Sequence, residues 1–392
     1  MAPGTLRGWD WIHKWTSLVC TLFMLLLCLT GLPLIFYEEI IHATGGEISA
    51  PPLPAGSPPA PRASLDAVVA AAVAQHPGKQ PLYVFAEPHE PDLWLVKLDT
   101  RVDSDESAAV FAAVDARTAQ VLGAPVFNQG VMHVIYRLHV DLFGGLVGRL
   151  FLGAMGLLLV IAIVSGVVLY APFMRRQGFA SLRRGRSGRL VWLDLHNLLG
   201  IVTVVWALAV GATGVINTWA DLILKAWQAE QMTALKLQRA AGAGAASLSS
   251  PATARPGAAQ RAIERAQAER PGMQLATLAY PGTLLATPGH FAVLMTGDSA
   301  LTSRLQEPVL VDPDSGRVVL AGPRPWYVSA LQLSQPLHFG DYGGLPLKLL
   351  WALLDLITLL VLWSGQVLWW RKRAGARRAT ADADACGAGP GG

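Results

Sequence analysis

Four long apolar blocks constrain the fold of this chain more than any other feature. Three of them, Thr16 to Tyr37, Leu150 to Met174 and Asn197 to Ala220, contain no charged residue, and the fourth, Leu349 to Trp370, contains only Asp355. Each block reaches the roughly 20 residues that a helix needs to cross the ~30 Å hydrocarbon core of a bilayer. We therefore predict an integral membrane protein, mainly α, with four transmembrane helices.

The distribution of arginine and lysine predicts the orientation of these helices. Six arginines lie between the second and third blocks, and the C-terminal tail opens with Arg371, Lys372 and Arg373. Positively charged loops stay in the cytoplasm, so both termini are predicted to be cytoplasmic. Residues 39–149 and 221–348 would then lie outside. The net charge of +4 comes mostly from these arginines, and it predicts no nucleic-acid partner.

The first block is predicted to be a retained helix and not a cleaved signal peptide. Its apolar stretch is longer than a usual signal core, and no A-x-A-like cleavage site follows it closely. The three cysteines are Cys20, Cys28 and Cys386, so the exterior segments contain none and no disulfide is expected there. The sequence contains no C-x-x-C-H motif, which excludes a covalently attached c-type haem on this chain.

The two exterior segments repeat one pattern. Each begins with a short helical stretch that ends in Pro-Gly, at residues 64–78 and 259–272. Each continues with two strand-like runs, at 82–86 and 93–98 and again at 275–280 and 291–295, and then with a strand–turn–strand unit, at 111–122 and 308–320. We predict two small α+β modules.

The apolar blocks repeat as well. His13 precedes the first block, and the pair Thr30-Gly31 begins 17 residues after His13. The pair Thr213-Gly214 begins the same number of residues after His196. His139 and His338 precede the second and fourth blocks, and Ser165-Gly166 and Ser364-Gly365 follow them by 26 residues in each case. The chain is therefore predicted to be two tandem copies of span–module–span, related by an axis along the membrane normal.

The predicted segments are defined by residue number. They are 1–38 (N-terminus and first span), 39–138 (first periplasmic module), 139–175 (second span), 176–194 (basic cytoplasmic loop), 195–220 (third span), 221–337 (second periplasmic module), 338–371 (fourth span) and 372–392 (basic, disordered cytoplasmic tail).

The matched histidines are the candidate ligands of a cofactor. The pseudo-twofold axis would let His13 face His196 near the cytoplasm and His139 face His338 near the exterior. Two opposed imidazoles suit the axial positions of a haem iron. A zinc site would need three or four ligands, and a proton relay would need carboxylates near these histidines, whereas Asp355 is the one acid inside a span.

The glycines of the Ser/Thr-Gly pairs are candidate cofactor contacts. With a helical rise of about 1.5 Å per residue, Gly31 and Gly214 fall near the exterior pair and Gly166 and Gly365 near the cytoplasmic pair. One hypothesis is that each haem lies against glycines of the other helix pair, where a flat macrocycle can approach the backbone. The alternative is that these small residues only let the helices pack closely.

The remaining histidines are weaker candidates. His133 would lie about 240° from His139 around a helix, and His42 has no counterpart in the second copy. We expect the three histidines of the exterior modules to be solvated: His76, His89 and His290. Asp355 is expected near the exterior interface, seven residues beyond Lys348.

Together these motifs resemble the PepSY-associated transmembrane family, which includes inner-membrane ferric-siderophore reductases. The resemblance covers nearly the whole chain up to Arg378. It rests on the following residues: His13-Lys14-Trp15, Leu138-His139 with Gly144-Gly145, residues 195–200 (LHNLLG), 336–340 (PLHFG) with Gly343-Gly344, and 369–373 (WWRKR). The turn from Asp312 to Gly316 resembles the PepSY module, and residues 115–119 are a degraded form without the glycine.

The resemblance implies two b-type haems held by His13, His196, His139 and His338. It also implies electron transfer from the cytoplasmic side to a periplasmic ferric siderophore, with release of Fe(II). The sequence lacks a G-x-G-x-x-G motif after a strand and so predicts no nicotinamide site. The electron donor would then be a separate cytoplasmic reductase, a quinol or a diffusible reductant.

Two other classes of function stay open on the sequence. The exterior modules could bind or regulate a partner, such as a peptidase, without redox chemistry. The spans could also form a permease for the iron complex, although few internal polar residues are available to line a pore.

Overall fold

A computed structural model describes residues 3–46, 48–53, 61–87, 90–102, 109–125, 127, 129–177, 187–240, 256–299, 302–322 and 324–387. The chain divides into two compact units. One unit comprises residues 1–36, 134–219 and 334–392, and it contains the four apolar blocks. The other comprises residues 37–133 and 220–333, and it contains both predicted modules.

The first unit is a bundle of four long helices. These are α1 (Pro3–Ile35), α5 (Gly145–Gln177), α6 (Gly188–Thr218) and α10 (Gly344–Gly387). All four are long and apolar enough to cross a membrane, so the predicted multi-pass membrane protein is confirmed. Helix α1 packs against α5 and α10, and α6 packs against the same two helices. The first helices of the two copies, α1 and α6, therefore occupy diagonal positions in the bundle.

The tail differs from the prediction. Residues from 372 onward were expected to be disordered, but α10 continues without a break to Gly387. The segment between Arg371 and Gly387 is rich in alanine and arginine and contains no proline. Alanine and arginine are among the strongest helix formers, so the local propensity of the tail extends the transmembrane helix.

Short helices precede or follow the spans. They are α2 (Tyr37–Ala43) and α7 (Ala220–Ala240), which follow α1 and α6, and α4 (Gly130–Val140) and α9 (Trp326–Phe339), which precede α5 and α10. Sharp reversals join the latter two to the spans, with φ values of 55° at Gly145 and 59° at Gly344. Glycine adopts such left-handed conformations without steric penalty. His139 lies on α4 and His338 lies on α9. Both histidines thus precede the reversals, and neither belongs to a spanning helix.

The second unit is built on one eight-stranded antiparallel sheet, in the order β4-β3-β2-β1-β5-β6-β7-β8. The first copy supplies β1 (Gln80–Ala86), β2 (Leu93–Asp99), β3 (Val110–Asp115) and β4 (Val121–Gly123). The second supplies β5 (Gln274–Ala279), β6 (Phe291–Thr296), β7 (Glu307–Val311) and β8 (Val318–Ala321). The predicted strands are confirmed, and the two α+β modules share a continuous sheet.

The pairing of β1 with β5 has twofold symmetry. Val84 pairs with Leu278, and each of these residues lies six positions beyond the Pro-Gly glycine of its own copy, Gly78 or Gly272. Tyr83 pairs with Ala279 and Phe85 with Thr277, so the neighbouring pairs are exchanged about this point. Equivalent strands of the two copies thus meet antiparallel, which supports the duplication predicted from the sequence.

Helices cover the sheet. Helices α3 (Leu65–Gln75) and α8 (Ala258–Glu269) pack on one face and on each other, and they enclose the main apolar core of the unit. Their first turns are joined by hydrogen bonds, because the Asp66 carboxylate accepts from the Gln260 backbone N–H at 2.8 Å. On the opposite face, Leu235 of α7 packs with Ala292 and Leu310 of the second copy.

The two strand–turn–strand units form the same turn with different residues at the left-handed position. Gly316 has a φ of 66°, and Ala119 holds the equivalent position at 56°. In the first copy, hydrogen bonds from Arg117 to Asp115 at 2.7 and 3.0 Å secure the turn, and they lower the pKa of Asp115. The turn that lacks the predicted glycine is thus a left-handed alanine stabilised by an ion pair.

We expect Gly316→Ala to destabilise the second unit by about 1–2 kcal/mol, since an L-residue pays that cost in the left-handed conformation. Ala119→Gly should stabilise by a smaller amount, because glycine also loses more backbone entropy on folding. Thermal unfolding of the full chain in detergent measures both effects. Gly322→Ala is the control, since open space surrounds the position of its Cβ and no left-handed φ is required there. Equal melting temperatures for Gly316→Ala and the control would contradict this account.

Candidate functional site

The structure brings the four matched histidines together as two facing pairs. The ring centroids of His13 and His196 are 6.4 Å apart, with an angle of 69° between the ring planes. The centroids of His139 and His338 are 6.2 Å apart, with an angle of 61°. Each pair joins one histidine from each copy, as the sequence pattern predicts.

These separations suit two imidazoles that share one metal atom. An imidazole nitrogen binds a first-row metal such as zinc at about 2.0–2.1 Å, so two nitrogens on opposite sides of one atom lie about 4 Å apart and their ring centroids roughly 6 Å apart. Both observed centroid distances agree with that value. The apposition is therefore of the right size for an axial pair of ligands.

Hydrogen bonds fix the orientation of the His13/His196 pair. Nδ1 of His13 lies 2.8 Å from the carbonyl oxygen of Ala162 and 3.2 Å from Oγ of Ser165. Nδ1 of His196 lies 3.1 Å from the carbonyl oxygen of Val361 and 2.8 Å from Oγ of Ser364. Each serine hydroxyl also donates to that same carbonyl oxygen. Since the carbonyl and hydroxyl oxygens accept, both histidines carry their proton on Nδ1.

The His139/His338 pair repeats this arrangement. Nδ1 of His338 lies 3.0 Å from the carbonyl oxygen of Val210 and 3.3 Å from Oγ1 of Thr213. Nδ1 of His139 lies 3.0 Å from Oγ1 of Thr30 and bonds the backbone of Leu27. In all four places the carbonyl belongs to the residue three positions before the Ser or Thr. A neutral ring protonated on Nδ1 presents the lone pair of Nε2, the tautomer that ligating histidines adopt when the other nitrogen donates to a carbonyl.

The four candidate glycines contact the histidine rings. A Cβ on Gly31 would lie 3.0 Å from Cε1 of His139, and one on Gly166 would lie 3.0 Å from Cε1 of His13. The corresponding distances are 3.1 Å from Gly214 to His338 and 3.6 Å from Gly365 to His196. The sequence hypothesis placed a macrocycle against these glycines. In the structure, the edge of an imidazole occupies that position, so glycine makes room for the ligand side chain.

Each histidine packs against a helix of its own copy and faces the matched histidine of the other copy. His13 rests on α5 and His139 on α1, both within the first copy, while His196 rests on α10 and His338 on α6 in the second. The His13/His196 pair lies near the start of α1. His139 packs against Gly31, 18 residues further along α1 than His13, or about 27 Å at a rise of 1.5 Å per residue. The two pairs therefore lie at opposite ends of the bundle.

The two nitrogen donors of each pair suit a metal whose remaining ligands belong to a cofactor. Among the residues that the structure describes, no group of three or more His, Cys, Asp or Glu side chains could hold a metal ion. Each pair supplies two neutral nitrogen donors, the number that a porphyrin iron would need from the protein. A zinc ion would need further protein ligands. The residues present thus fit a haem at each end of the bundle.

The other histidines lie outside these pairs. His290 was expected to be solvated, but this was wrong: it is 1% exposed, and its Nδ1 bonds Oγ1 of Thr287 at 2.8 Å within the sheet unit. His133 bonds the carbonyl of Phe127 at 3.2 Å, and His42 is exposed on α2. His76 is half-buried after α3, and His89 lies outside the described residues. Asp355 is buried inside the bundle, at 6% exposure.

The sequence analysis missed the role of Ser165, Ser364, Thr30 and Thr213. The repeated Ser/Thr-Gly pairs were visible, but only the glycines were assigned a role. The structure shows that each pair is one seat, in which the hydroxyl accepts from Nδ1 and the glycine leaves space for Cε1. The signal that could have found this was the constant Ser or Thr ahead of each glycine.

Comparison with known proteins gives a family match and a curated relative. The sequence model of the PepSY-associated TM region matches residues 11–372, a range that contains all four paired histidines. The uncharacterised protein PA4219 of Pseudomonas aeruginosa is 34% identical over 86 residues, which are 22% of this chain and 21% of that protein. The chain thus matches about a fifth of the length of that relative.

Proposed function

The chain belongs to the PepSY-associated transmembrane family, and we propose that it is a di-haem oxidoreductase that reduces ferric siderophores. His13 and His196 would hold one b-type haem, and His139 and His338 would hold the other. The electron would cross the membrane from the cytoplasmic side to a ferric siderophore in the periplasm, where Fe(III) is reduced to Fe(II) and released.

The observation that carries this proposal is the presence of two imidazole pairs at opposite ends of one bundle, with nearly the same separation between the rings of each pair. A single pair could be a local packing feature, but two pairs span the apolar thickness that an electron has to cross. A haem bound at each pair would supply a one-electron carrier on each side. The predicted cytoplasmic position of the arginine-rich segment places His13 and His196 on the donor side.

The residues of the chain orient the ligands before any cofactor binds. The carbonyls of Ala162, Val361, Val210 and Leu27 and the neighbouring hydroxyls hold each Nδ1–H. Such partners of the second ring nitrogen fix the ring and make the ligating nitrogen more basic. The surrounding bundle is apolar, with Cys20, Met24 and Met155 buried between α1 and α5.

The proposed partners lie on both sides of the membrane. The acceptor would be a ferric siderophore, and the donor a cytoplasmic reductase, a quinol or a diffusible reductant. Siderophores hold Fe(III) far more tightly than Fe(II), so transfer of one electron is sufficient to loosen the metal.

The absorption spectrum of the purified protein tests the proposal directly. We expect two haems per chain, a Soret band that shifts on addition of dithionite, and reoxidation of the reduced protein by a ferric siderophore. A colourless protein purified from haem-replete cells would refute the cofactor and leave a binding or regulatory role for the sheet unit. A haem protein whose reduced form does not react with ferric siderophores would refute the substrate alone.

The serine hydroxyls that contact the histidines give a further prediction about haem affinity. Ser364→Ala should weaken binding of the haem at His13/His196 by about tenfold, the lower end of the range for partners of ligating histidines, because the Val361 carbonyl still accepts from His196. Haem titration of the apoprotein measures this. Thr358→Ala is the matched control on the same helix, since its hydroxyl bonds the Leu354 carbonyl at 2.9 Å. Equal affinities in both variants would show that the serine does not support the ligand.

A further inference from the structure

The interior of the bundle contains a carboxyl group that the proposed electron path does not use. Asp355 lies on α10 and is 6% exposed. Its Oδ2 is buried and has no hydrogen-bond partner among the described residues. A carboxylate in such a place is costly, and ionisable side chains inside membrane helices mark functional sites more often than packing.

A thiol on a neighbouring helix interacts with this carboxyl. The thiol of Cys28 on α1 forms a hydrogen bond with Asp355. Cys28 follows Leu27, whose backbone bonds His139, and lies three residues before Gly31, on which the His139 ring rests. Residues three apart on a helix are neighbours on its surface. The Asp355–Cys28 pair therefore lies about one helical turn from the seat of His139.

Few other groups can compensate a charge on Asp355. Helix α10 packs against α1 and α6. Helix α6 has no titratable residue between Asn197 and Ala220, and α1 has only Cys20 besides Cys28 over its apolar block. On α10 itself the nearest charged residue is Lys348, about two turns away, and α5 has only Tyr170 between Leu150 and Met174. The His139 ring packs against Gly31, three residues beyond Cys28 on α1, and it faces His338.

We propose that Asp355 is a proton-binding site coupled to reduction of the haem at His139/His338. With ferric haem, the carboxylate and the positive iron centre stabilise each other across the apolar interior. When an electron arrives, that positive charge is lost, and Asp355 takes up one proton. When the electron passes on to the ferric siderophore, Asp355 releases the proton. One electron and one proton thus enter together and leave together, so the buried interior gains no net charge.

This inference rests on the proposed haem function, and its test separates the two. In a His13→Ala protein, only the haem at His139/His338 should remain, and its midpoint potential can be measured by optical redox titration as a function of pH. We expect the potential to fall as the pH rises, with a limit of about 59 mV for each tenfold drop in proton concentration. Asp355→Asn in the same background should remove this slope and raise the potential at high pH.

Two controls assign the effect. The carboxylates of the porphyrin remain in both proteins, so any pH dependence they cause is common to both and only the difference reports on Asp355. In a His139→Ala protein, which should retain the haem at His13/His196, Asp355→Asn should leave the potential unchanged. Cys28→Ala removes the hydrogen bond to the carboxylate and should move the sloping region to higher pH; it also serves as the test if Asp355→Asn does not fold.

The outcomes are distinct. Absence of haem from the His13→Ala and His139→Ala proteins and from the unmutated protein would refute the proposed function, and this inference with it. Haem binding with the same slope in the unmutated and Asp355→Asn backgrounds, or with an unchanged pH range in Cys28→Ala, would refute the proton site alone. An effect of Asp355→Asn on the haem at His13/His196, in place of the other haem, would overturn the assignment.

Discussion

Alanine at any of the four paired histidines is expected to remove one of the two haems. His13→Ala and His196→Ala should lose the same haem, because their rings form one pair, and His139→Ala and His338→Ala should lose the other. Under the proposed function, loss of one imidazole would leave the haem iron with a single protein ligand. The measurement is haem content per chain with the reduced-minus-oxidised spectrum, which should fall from two haems to one in each variant.

His133→Ala is the matched control for these variants. His133 lies on α4 with His139, and its ring bonds the Phe127 carbonyl. It belongs to neither of the two facing pairs. It should retain both haems. Full haem content in all four variants would end the ligand assignment, and loss of different haems in His13→Ala and His196→Ala would show that the two rings do not share one iron. Each of the four variants should also stop reduction of a ferric siderophore from the cytoplasmic side.

A methyl group on the glycine seats should displace the ligands. In Gly214→Ala the new Cβ would lie 3.1 Å from Cε1 of His338, and in Gly31→Ala it would lie 3.0 Å from Cε1 of His139. Overpacking of this kind costs about 1–3 kcal/mol, which corresponds to roughly a ten- to hundredfold loss of affinity for the haem at His139/His338. Haem titration of each apoprotein measures the loss, and the haem at His13/His196 should be unaffected.

Two other glycines provide internal comparisons. A Cβ on Gly211, three residues before Gly214, would make ordinary contacts at 3.5 Å with Leu159, so Gly211→Ala should bind both haems normally. Gly365 has 3.6 Å of space before His196, so Gly365→Ala should be tolerated, whereas Gly365→Leu should release the haem at His13/His196. If Gly214→Ala and Gly211→Ala lost haem equally, or if Gly31→Ala affected both haems alike, the glycines would serve helix packing in general.

The helices and strands could be predicted because each follows from local pattern. The spans follow from the length of the uncharged blocks, and the strands of the sheet from short apolar runs between turn residues. The helices α2, α4, α7 and α9 were not predicted, and the tail was predicted differently. Its charge and composition suggested disorder, but its alanine and arginine residues propagate a helix that the fourth span has already nucleated.

The pairing of the histidines could be predicted because duplication carries a geometric consequence. Two copies that cross the membrane in the same direction place equivalent residues at equal depth, so His13 and His196 belong to one level and His139 and His338 to the other. Distances of 6.4 and 6.2 Å between the rings could not be predicted. They depend on the packing of α1 and α6 on the diagonal of the bundle and on the reversals at Gly145 and Gly344.

Sequence periodicity alone determined that this protein has four spans, two related copies and two levels of matched histidines, because charge, hydropathy and spacing act along the chain. The tertiary structure decided which atom meets which. It turned each Ser/Thr-Gly pair into a seat for an imidazole, merged two modules into one sheet through Val84 and Leu278, and buried His290 and Asp355. The imidazole contacts and the shared sheet depend on residues more than a hundred positions apart, and only close packing of the folded chain fixes such contacts.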